Sequence, residues 1–272
     1  MSGHFPRASN VEERASGLKI QVLGAAGSEV PGHNCPSFLV DGKILLDAGT
    51  IALSLSIREE TGLGSVLLTH AHFDHIKGIP FMLDNLVTRS TGNTITVLSG
   101  KDVLDDLKKN IFNDRIWPDF TRIPTRERPA LRYKAIVPSR AVMVNGFRVT
   151  MERVNHSVPA YGYIVEKPGE KAIAYTGDTG PIDRFWERMA ARNVKFLITE
   201  TSFPNRLEKM ALSSGHLTPS LLEKEIAKMP LPPEKIFIMH IKPQFLEEIE
   251  TEIQALGHDN IEFLKDGEVI LI

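Results

Sequence analysis

The chain has 272 residues, 42% of them hydrophobic, and a formal net charge of -2 at pH 7. This length allows a sizeable core, and the small net charge gives no sign of an obligate nucleic-acid or membrane partner. The single cysteine, Cys35, excludes an intramolecular disulfide. Residues 1–17 form a polar N-terminal tail without the apolar core of a signal peptide, and no apolar run reaches the roughly 20 residues that span a bilayer. We therefore expect a cytoplasmic protein with a single domain over residues 18–272.

The first hundred residues read as short strands joined by glycine-rich turns. Asp41-Gly42 lies between two apolar runs and predicts a tight hairpin. We predict strands at 18–23, 37–40, 43–46, 65–69 and 94–98, and helices from about 51 to 60 and over 81–87.

The middle of the chain is less regular. Residues 102–112 have helical spacing, but prolines interrupt the residues after them, so we interpret the stretch near 101–140 as an irregular inserted segment. Its aromatics Phe112, Trp117 and Phe120 either stack on a purine or anchor the segment to the core. Between residues 122 and 140, six basic residues against one acid either steer a phosphate ester or form a solvated face. They are Arg122, Arg126, Arg128, Arg132, Lys134 and Arg140.

The second half repeats the outline of the first, with strands followed by helices. Thr218-Pro219 is typical of a helix start, because a capping residue precedes a proline. Strands are predicted at 141–154, 161–166, 171–175, 195–199 and 235–239, and helices at 182–191, 218–229 and 245–256. Two such halves stacked through their sheets give an α/β fold, a four-layer αββα sandwich.

The segment His70-Ala71-His72-Phe73-Asp74-His75 directly follows the apolar strand at 65–69. Two histidines at i and i+2 share one side of an extended chain. Asp74 and His75 lie where the chain begins to turn into a helix, so they can face a second ion. One short loop can therefore supply two adjacent metals, which suits hydrolysis by a metal-activated water.

Three more ligand candidates, His156, Asp178 and His240, each come just after an apolar strand-like run. Any one alone is more often structural, but with the first motif they complete a set of seven. Imidazole and carboxylate donors suit Zn2+, and also Mn2+ or iron. The absence of thiols from the set argues against a purely structural zinc site.

This order of motifs resembles the metallo-β-lactamase superfamily over about residues 18–272. The resemblance implies two divalent metal ions with a hydroxide between them, and, since dimers are common in that superfamily, a homodimer is among the expected partners. It assigns His70, His72 and His156 to the first metal, Asp74, His75 and His240 to the second, and Asp178 to both.

Three C-terminal runs narrow the resemblance to the class II 3',5'-cyclic nucleotide phosphodiesterases. These runs are Glu200-Thr201-Ser202-Phe203-Pro204-Asn205, Ser214-Gly215-His216-Leu217-Thr218-Pro219 and His240-Ile241-Lys242-Pro243. The implied reaction is in-line attack of the bridging hydroxide on cAMP or cGMP, which yields a 5'-monophosphate. Phe73 departs from the branch pattern, which usually has leucine there.

Four residues outside the metal set are candidates for the substrate side. His216 precedes a predicted helix start, where it can contact the phosphate or protonate the leaving ribose oxygen, and Glu200 can orient it. Lys242 either adds charge near the phosphate or is solvated, and Asn34 either polarises substrate or serves a turn. With the metal ligand Asp74, His216 and Glu200 are the expected catalytic residues, and His216, Lys242 and Asn34 the expected substrate contacts.

Two enzyme alternatives and one non-enzymatic alternative remain from the sequence. A tRNA 3'-end processing endonuclease of the same superfamily also uses a histidine and a glutamate, but it usually needs a glycine- and proline-rich arm that has no obvious counterpart. RNA is therefore the less favoured partner. Thioester and lactone hydrolases share the metal motif without the run around His216. A nucleotide-binding scaffold is disfavoured because every ligand position is filled.

Overall fold

The computed structural model describes residues 17–51, 54–89, 92–169 and 171–272. Within these ranges two seven-stranded sheets face each other, and helices cover their outer faces. The four-layer αββα sandwich expected from the sequence is therefore confirmed. The predicted polar tail lies, apart from Gly17, outside the described residues.

The described part of the chain contains fourteen strands and eight α-helices, numbered here in chain order. The strands are β1 (Lys19–Gly24), β2 (Ser37–Val40), β3 (Ile44–Leu46), β4 (Ser65–Leu67), β5 (Ile95–Ser99), β6 (Leu131–Ala135), β7 (Val142–Val144), β8 (Phe147–Arg153), β9 (Tyr161–Glu166), β10 (Ala172–Tyr175), β11 (Phe196–Glu200), β12 (Lys235–Met239), β13 (Ile261–Phe263) and β14 (Val269–Leu271). The helices are α1 (Ile57–Gly62), α2 (Phe73–Ile76), α3 (Gly78–Thr88), α4 (Lys101–Asn110), α5 (Arg184–Ala190), α6 (Glu208–Ser214), α7 (Pro219–Lys228) and α8 (Leu246–Gln254).

The two sheets share one plan, in which antiparallel pairing on one side gives way to parallel pairing on the other. The first sheet has the order β14-β1-β2-β3-β4-β5-β6 and is parallel from β3 to β6. The second has the order β7-β8-β9-β10-β11-β12-β13 and is parallel from β10 to β13. Because neighbouring parallel strands end at the same edge of a sheet, the loops after them lie together and can build a site.

Alternating side chains on β10 show how one sheet serves two cores. Ile173 and Tyr175 belong to the core between the sheets, whereas Ala172 and Ala174 belong to the core under the helices of the second half. Successive side chains of a strand point to opposite faces, so a short apolar strand can fill both layers. Between the sheets, the ring of Tyr175 meets the ring of Phe38 edge-on, with centroids 5.4 Å apart.

Capping residues fix where two of the predicted helices begin. Thr218 accepts a hydrogen bond from the Leu221 amide, so α7 starts at Pro219 as its sequence indicates. The helix predicted from about residue 51 starts only at Ile57, because Ser56 and Glu59 form a capping box. Residues 52 and 53 of that prediction lie outside the described ranges.

The strand predicted over 141–154 is wrong as one element. It is a hairpin, β7 and β8, with Asn145 and Gly146 at the turn with φ of 48° and 89°. Two successive positive φ angles make the tight turn that matches strand twist, and an Asn-Gly pair adopts it readily. The Asn-Gly pair is present in the sequence, but β-forming residues flank it on both sides, so the turn was missed.

The expected irregular insert near 101–140 is regular in part. It begins with α4 and contains β6, the edge strand of the first sheet. Residues 111–130 and 136–140 of this described segment lack a helix or a strand. Phe112 and Phe120 are both buried in the core, which is the anchoring role left open by the sequence.

The helices found in the described ranges are all too short or too polar to cross a membrane.

Candidate metal centre

The seven predicted ligands come together at one edge of the two sheets. The motif from His70 to His75 follows β4, and its last residues form the start of α2. His156 follows β8, Asp178 follows β10 and His240 follows β12, so four strands deliver ligands to one place. Their donor atoms form two adjacent groups, each with all donors within 4.8 Å of one another. The groups are His70, His72, His156 and Asp178, and Asp74, His75 and His240.

In the first group three imidazole rings face one another. The ring centroids of His70, His72 and His156 are 4.6 to 4.9 Å apart. Nδ1 of His72 and Nε2 of His156 are separated by 3.2 Å. Two ring nitrogens that both point their lone pairs at this gap repel unless a proton or a cation lies between them, so the arrangement fits a cation.

At the second group the carboxylates of Asp74 and of the neighbouring Asp178 meet two imidazoles. Nε2 of His240 lies 3.3 Å from Asp74 and 3.3 Å from Asp178 Oδ2, and Nε2 of His75 lies 3.3 Å from Asp178 Oδ1. Asp178 thus faces His75 with Oδ1 and His240 with Oδ2. Its Oδ2 is also 3.7 Å from Nε2 of His70. This residue borders both groups, as a bridging ligand must.

Three buried atoms at this junction test whether a metal fits. Nε2 of His70, Nε2 of His75 and Oδ1 of Asp178 are inaccessible to solvent and have no hydrogen-bond partner among the described residues. Buried polar atoms are nearly always satisfied, and those that are not are explained by a ligand, an ion or strain. Since the orphaned atoms are nitrogen and oxygen donors that point to one place, the residues fit divalent ions such as Zn2+.

Hydrogen bonds behind the rings hold the histidines in the orientation that a metal needs. Nδ1 of His156 donates to the carbonyl oxygen of Gly215 at 2.9 Å, which leaves Nε2 free. Gly215 caps α6 with a φ of 72°, and a Cβ there would lie 2.7 Å from Cα of His156. Only glycine therefore lets this carbonyl approach the ring.

Asp47 is the main residue of this centre that the sequence analysis missed. Fully buried, it accepts hydrogen bonds from Nδ1 of His75, from Tyr175 and from both the amide and hydroxyl of Thr69. The Thr69 hydroxyl in turn lies 3.0 Å from Nδ1 of His70. One carboxylate thus orients two metal-facing imidazoles. The only signal in the sequence was an Asp directly after β3, in a Leu-Asp-Ala-Gly turn.

Backbone strain also marks the site. Asp47 and His240 have φ angles of 55° and 59°, in the left-handed region that residues other than glycine seldom adopt. The His240 amide donates to the carbonyl of Ala25 at 2.6 Å, which helps to hold this conformation. Such strained backbone concentrates at functional sites because neighbouring contacts must hold it in place.

Burial and neighbouring charges shift the pKa values of the buried groups. Burial lowers the pKa of the His70 imidazole well below its usual value, so its lone pair is available. Burial opposes ionisation of Asp178, but the imidazoles of His240 and His75 hold its pKa well below the usual range. Burial alone would lower the pKa of His75, yet the carboxylates of Asp178 and Asp47 raise it well above its usual value.

Beside the metal ligands lies a buried histidine–glutamate pair. Nδ1 of His216 is 2.7 Å from Oε1 of Glu200, and a ring nitrogen of His216 lies within 4.8 Å of donor atoms of Asp178 and His240. The His216 and His240 rings stack at 5.4 Å. Burial lowers the pKa of His216, but the charge and hydrogen bond of Glu200 outweigh it and raise the pKa to about 9.

The other predicted substrate contacts have structural partners. Nζ of Lys242 donates to the carbonyl of Gly27 at 3.2 Å and lies 5.3 Å above the ring of Phe203. The side-chain amide of Asn34 donates to the carbonyl of Leu23 at 3.2 Å. That bond ties Asn34 to β1, and substrate polarisation by Asn34 stays a prediction.

The basic residues of segment 122–140 are all exposed. Arg122 pairs with Asp114 and Asp119, and Arg132 reaches the carbonyl of Glu127. Part of this charge is therefore neutralised locally, as expected for a solvated face.

Comparison with known proteins identifies the family. The model of the Beta-lactamase superfamily domain matches residues 43–241. A Yersinia pestis protein named "Probable 3',5'-cyclic-nucleotide phosphodiesterase" is 28% identical over 74% of this chain and 65% of its own length. Ribonuclease Z of Bradyrhizobium diazoefficiens is 27% identical over 56% of this chain and 50% of its own. The crystal structure of unliganded yeast PDE1 superposes with a TM-score of 0.80 at 18% identity, covering 94% of this chain and 99% of that one.

This chain spans half to about two thirds of the length of these two curated relatives. The family model nevertheless covers most of the chain, including the loops that carry the histidine motif, Asp178 and His240. The sandwich fold and the gathered donors agree with it. The chain therefore belongs to the β-lactamase superfamily and has its metallo-β-lactamase fold.

Proposed function

We propose that this protein is a metal-dependent phosphodiesterase that hydrolyses 3',5'-cyclic nucleotides, cAMP or cGMP, to 5'-monophosphates. The observation that carries the proposal is the His216–Glu200 pair directly beside the seven clustered donors. A metal cluster alone suits many hydrolases, whereas an oriented imidazole beside it suits a reaction with a poor leaving group. Similarity to the cyclic-nucleotide phosphodiesterase of Yersinia pestis supports the same substrate class.

The residues that would hold two divalent ions are those of the two donor groups, with Asp178 between them. We propose Zn2+, and the same donors also accept Mn2+ or iron. When bound, such ions lower the pKa of a water to near neutrality and neutralise charge on phosphoryl oxygens. The chain's own contribution is to fix the donors, through the hydrogen bonds from His75, Tyr175 and Thr69 to Asp47 and from His156 to Gly215.

His216 would supply the proton for the leaving oxygen. Its Nδ1 is held by Glu200, which leaves Nε2 as the atom that donates. In hydrolysis of a cyclic nucleotide the departing ribose oxygen is a strong base, so a positioned acid lowers the barrier. We keep Lys242 as a source of positive charge two residues after His240.

Phe73 is the aromatic side chain that we propose for base contact. It lies between His72 and Asp74 in the chain, yet its side chain is 67% exposed. Its ring lines a groove of about 460 Å3 with Ile51, Phe81 and others. Phe112 and Phe120, which the sequence also offered for stacking, are buried in the core and have no free face.

Similarity to ribonuclease Z and the exposed arginines of segment 122–140 favour a second candidate, tRNA 3'-end processing. Assays of the metal-loaded full chain on cAMP, cGMP, bis(p-nitrophenyl) phosphate, a thioester and precursor tRNA separate these functions. We expect turnover of the cyclic nucleotides and of the aryl ester. Efficient cleavage of precursor tRNA or of the thioester without turnover of cAMP or cGMP would overturn the proposal.

A further inference from the structure

Ser202 stands at the centre of the hydrogen bonds that join the metal cluster to the histidine–glutamate pair. It follows β11 by two residues and is fully buried. Its hydroxyl oxygen lies 2.7 Å from Oε2 of Glu200, 2.8 Å from Nδ1 of His240 and 3.2 Å from Nδ1 of His216. The Ser202 hydroxyl therefore contacts both the acid pair and a metal-facing histidine.

The direction of these bonds follows from what each atom can donate. A serine hydroxyl has one proton and two lone pairs, and an ionised carboxylate only accepts. The hydroxyl therefore donates to Glu200 and accepts the Nδ1–H of His240. This tautomer leaves the Nε2 lone pair of His240 pointing at Asp74 and Asp178, each 3.3 Å away.

The hydrogen bond from Ser202 is one of four that the Glu200 carboxylate accepts. Oε1 accepts from the Thr179 amide and from His216, and Oε2 accepts from Ser202 and from the Leu217 amide. With four donors the carboxylate is held on both oxygens, so its direction toward His216 is fixed. Loss of the Ser202 bond would leave Oε2 with the Leu217 amide as its remaining donor and would hold the carboxylate less firmly.

We propose that Ser202 is a positioning residue that links the two parts of the site. It holds His240 in the tautomer that binds a metal, and through Glu200 it holds the imidazole of His216 in place. The first part concerns this chain's metal ligands alone, whereas the second rests on the proposed function, in which His216 protonates the leaving oxygen.

The experiment compares Ser202→Ala with Ser202→Thr, which keeps a hydroxyl, and with Ser99→Ala. Ser99 is also a fully buried serine, and its hydroxyl donates to the carbonyl of Leu68 outside this network. Metal affinity is measured by titration of the metal-free full chain with Zn2+ against a competing chelator. We expect Ser202→Ala to lower the affinity for one of two Zn2+ ions by about 10- to 100-fold, because hydrogen-bond partners behind metal-binding histidines typically contribute that much. Ser202→Thr restores the affinity, and Ser99→Ala leaves it unchanged.

Kinetics at saturating Zn2+ test whether Ser202 acts on His216 through Glu200. Cyclic nucleotides have a poor leaving group and need an acid, whereas bis(p-nitrophenyl) phosphate does not. We expect Ser202→Ala to lower kcat on the cyclic nucleotide at least tenfold more than kcat on the aryl ester. Unchanged Zn2+ affinity together with an unchanged ratio of the two kcat values overturns the proposal. A lower affinity with an unchanged ratio overturns only the link to His216.

Nitrogen NMR of the parent protein decides the tautomer without any variant at Ser202, should Ser202→Ala fail to fold. We expect a proton on Nδ1 of His240, and a ring that is protonated on Nε2 but not on Nδ1 contradicts the role of Ser202. This measurement and the Zn2+ titration hold even if the protein hydrolyses no cyclic nucleotide. Failure of the proposed function is therefore distinguishable from failure of this inference.

Discussion

The floor and the rim of the site are built in different ways. The floor comprises the seven clustered donors together with Asp47, Glu200 and His216, most of them buried and joined by hydrogen bonds. The rim comprises exposed side chains next to the donors, such as Phe73 at 67% exposure, and the arginines of segment 122–140 are exposed as well. A rigid floor sets the type of chemistry, whereas an open rim selects the substrate. Substitutions in the floor should therefore affect every substrate, and those in the rim only some.

The largest effect is expected at Asp178, which borders both donor groups. Asp178→Asn removes the charge that the two proposed ions would share, and we expect kcat/KM to fall on the order of 1,000-fold for all phosphodiester substrates. Steady-state kinetics and metal analysis check this. Asp183→Asn, an exposed carboxylate that pairs with Lys228, is the matched control and should leave both unchanged. A loss below tenfold would contradict the bridging role.

The next effect is expected at His216, which belongs to the floor but is not among the seven ligands. His216→Ala should lower kcat on cyclic nucleotides about 100- to 10,000-fold, because a positioned general acid contributes that much. Zn2+ content should stay at the parent value. His258→Ala is the control, since His258 also pairs with a glutamate but at the surface, at 2.5 Å from Glu223. Turnover at the parent rate would remove His216 from the mechanism.

The variant Asp47→Asn tests how far Zn2+ affinity depends on a residue that is not itself one of the seven donors. In Asp47→Asn the amide can donate to Nδ1 of His75, which would move the ring proton to Nε2 and turn it toward the cluster. We expect Zn2+ affinity to drop about 10- to 100-fold and activity at limiting metal to fall with it. A chelator titration measures this, and excess Zn2+ should restore part of the rate. Parent affinity in this variant would show that His75 needs no such support.

A smaller and substrate-dependent effect is expected at the rim residue Phe73. Base stacking on an aromatic side chain contributes about 1–3 kcal/mol, so Phe73→Ala should raise KM for cAMP or cGMP about fivefold or more. KM for dimethyl phosphate, which has no ring, should not change. Met210→Ala, an exposed apolar residue on α6, serves as the control. An equal rise for both substrates would indicate distortion of the neighbouring ligands His72 and Asp74.

The smallest effect is expected for the double substitution Arg126→Ala and Arg128→Ala. Both residues are exposed, and at physiological ionic strength charges more than about 8 Å from a small substrate are largely screened. We expect less than a twofold change in kcat/KM on cyclic nucleotides. A marked loss confined to precursor tRNA, measured at two salt concentrations, would favour the RNA-processing candidate.

The sequence predicted that the seven donors lie together because the segments that carry them follow apolar strands, and the structure brings them together. The strands before His70, Asp178 and His240 could be read from their apolar runs, and in a sandwich such strand ends share an edge. Asp47 escaped prediction, since a single Asp after a strand is common at turns and its four donors come from distant segments. The same holds for Ser202, whose partners lie 2 to 38 residues away.

The chain ends show a second limit of sequence reasoning. The C-terminal strands β13 and β14 were not predicted, and β14 leaves the second half to pair with β1, Ile270 opposite Ile20. In both strands the side chains are exposed or half-exposed, and the apolar run of β14 is only three residues long. Pairing across more than two hundred residues is decided by the edge that the sheet leaves open.

By itself the sequence determined the fold class and the seven donor residues, because strand periodicity and donor chemistry are local properties. Only the tertiary structure decided which nitrogen of each histidine faces the cluster, because Asp47, Gly215 and Ser202 hold the opposite nitrogen from elsewhere in the chain. It likewise decided that Phe112 is buried while Phe73 is exposed, since burial depends on what packs against a ring.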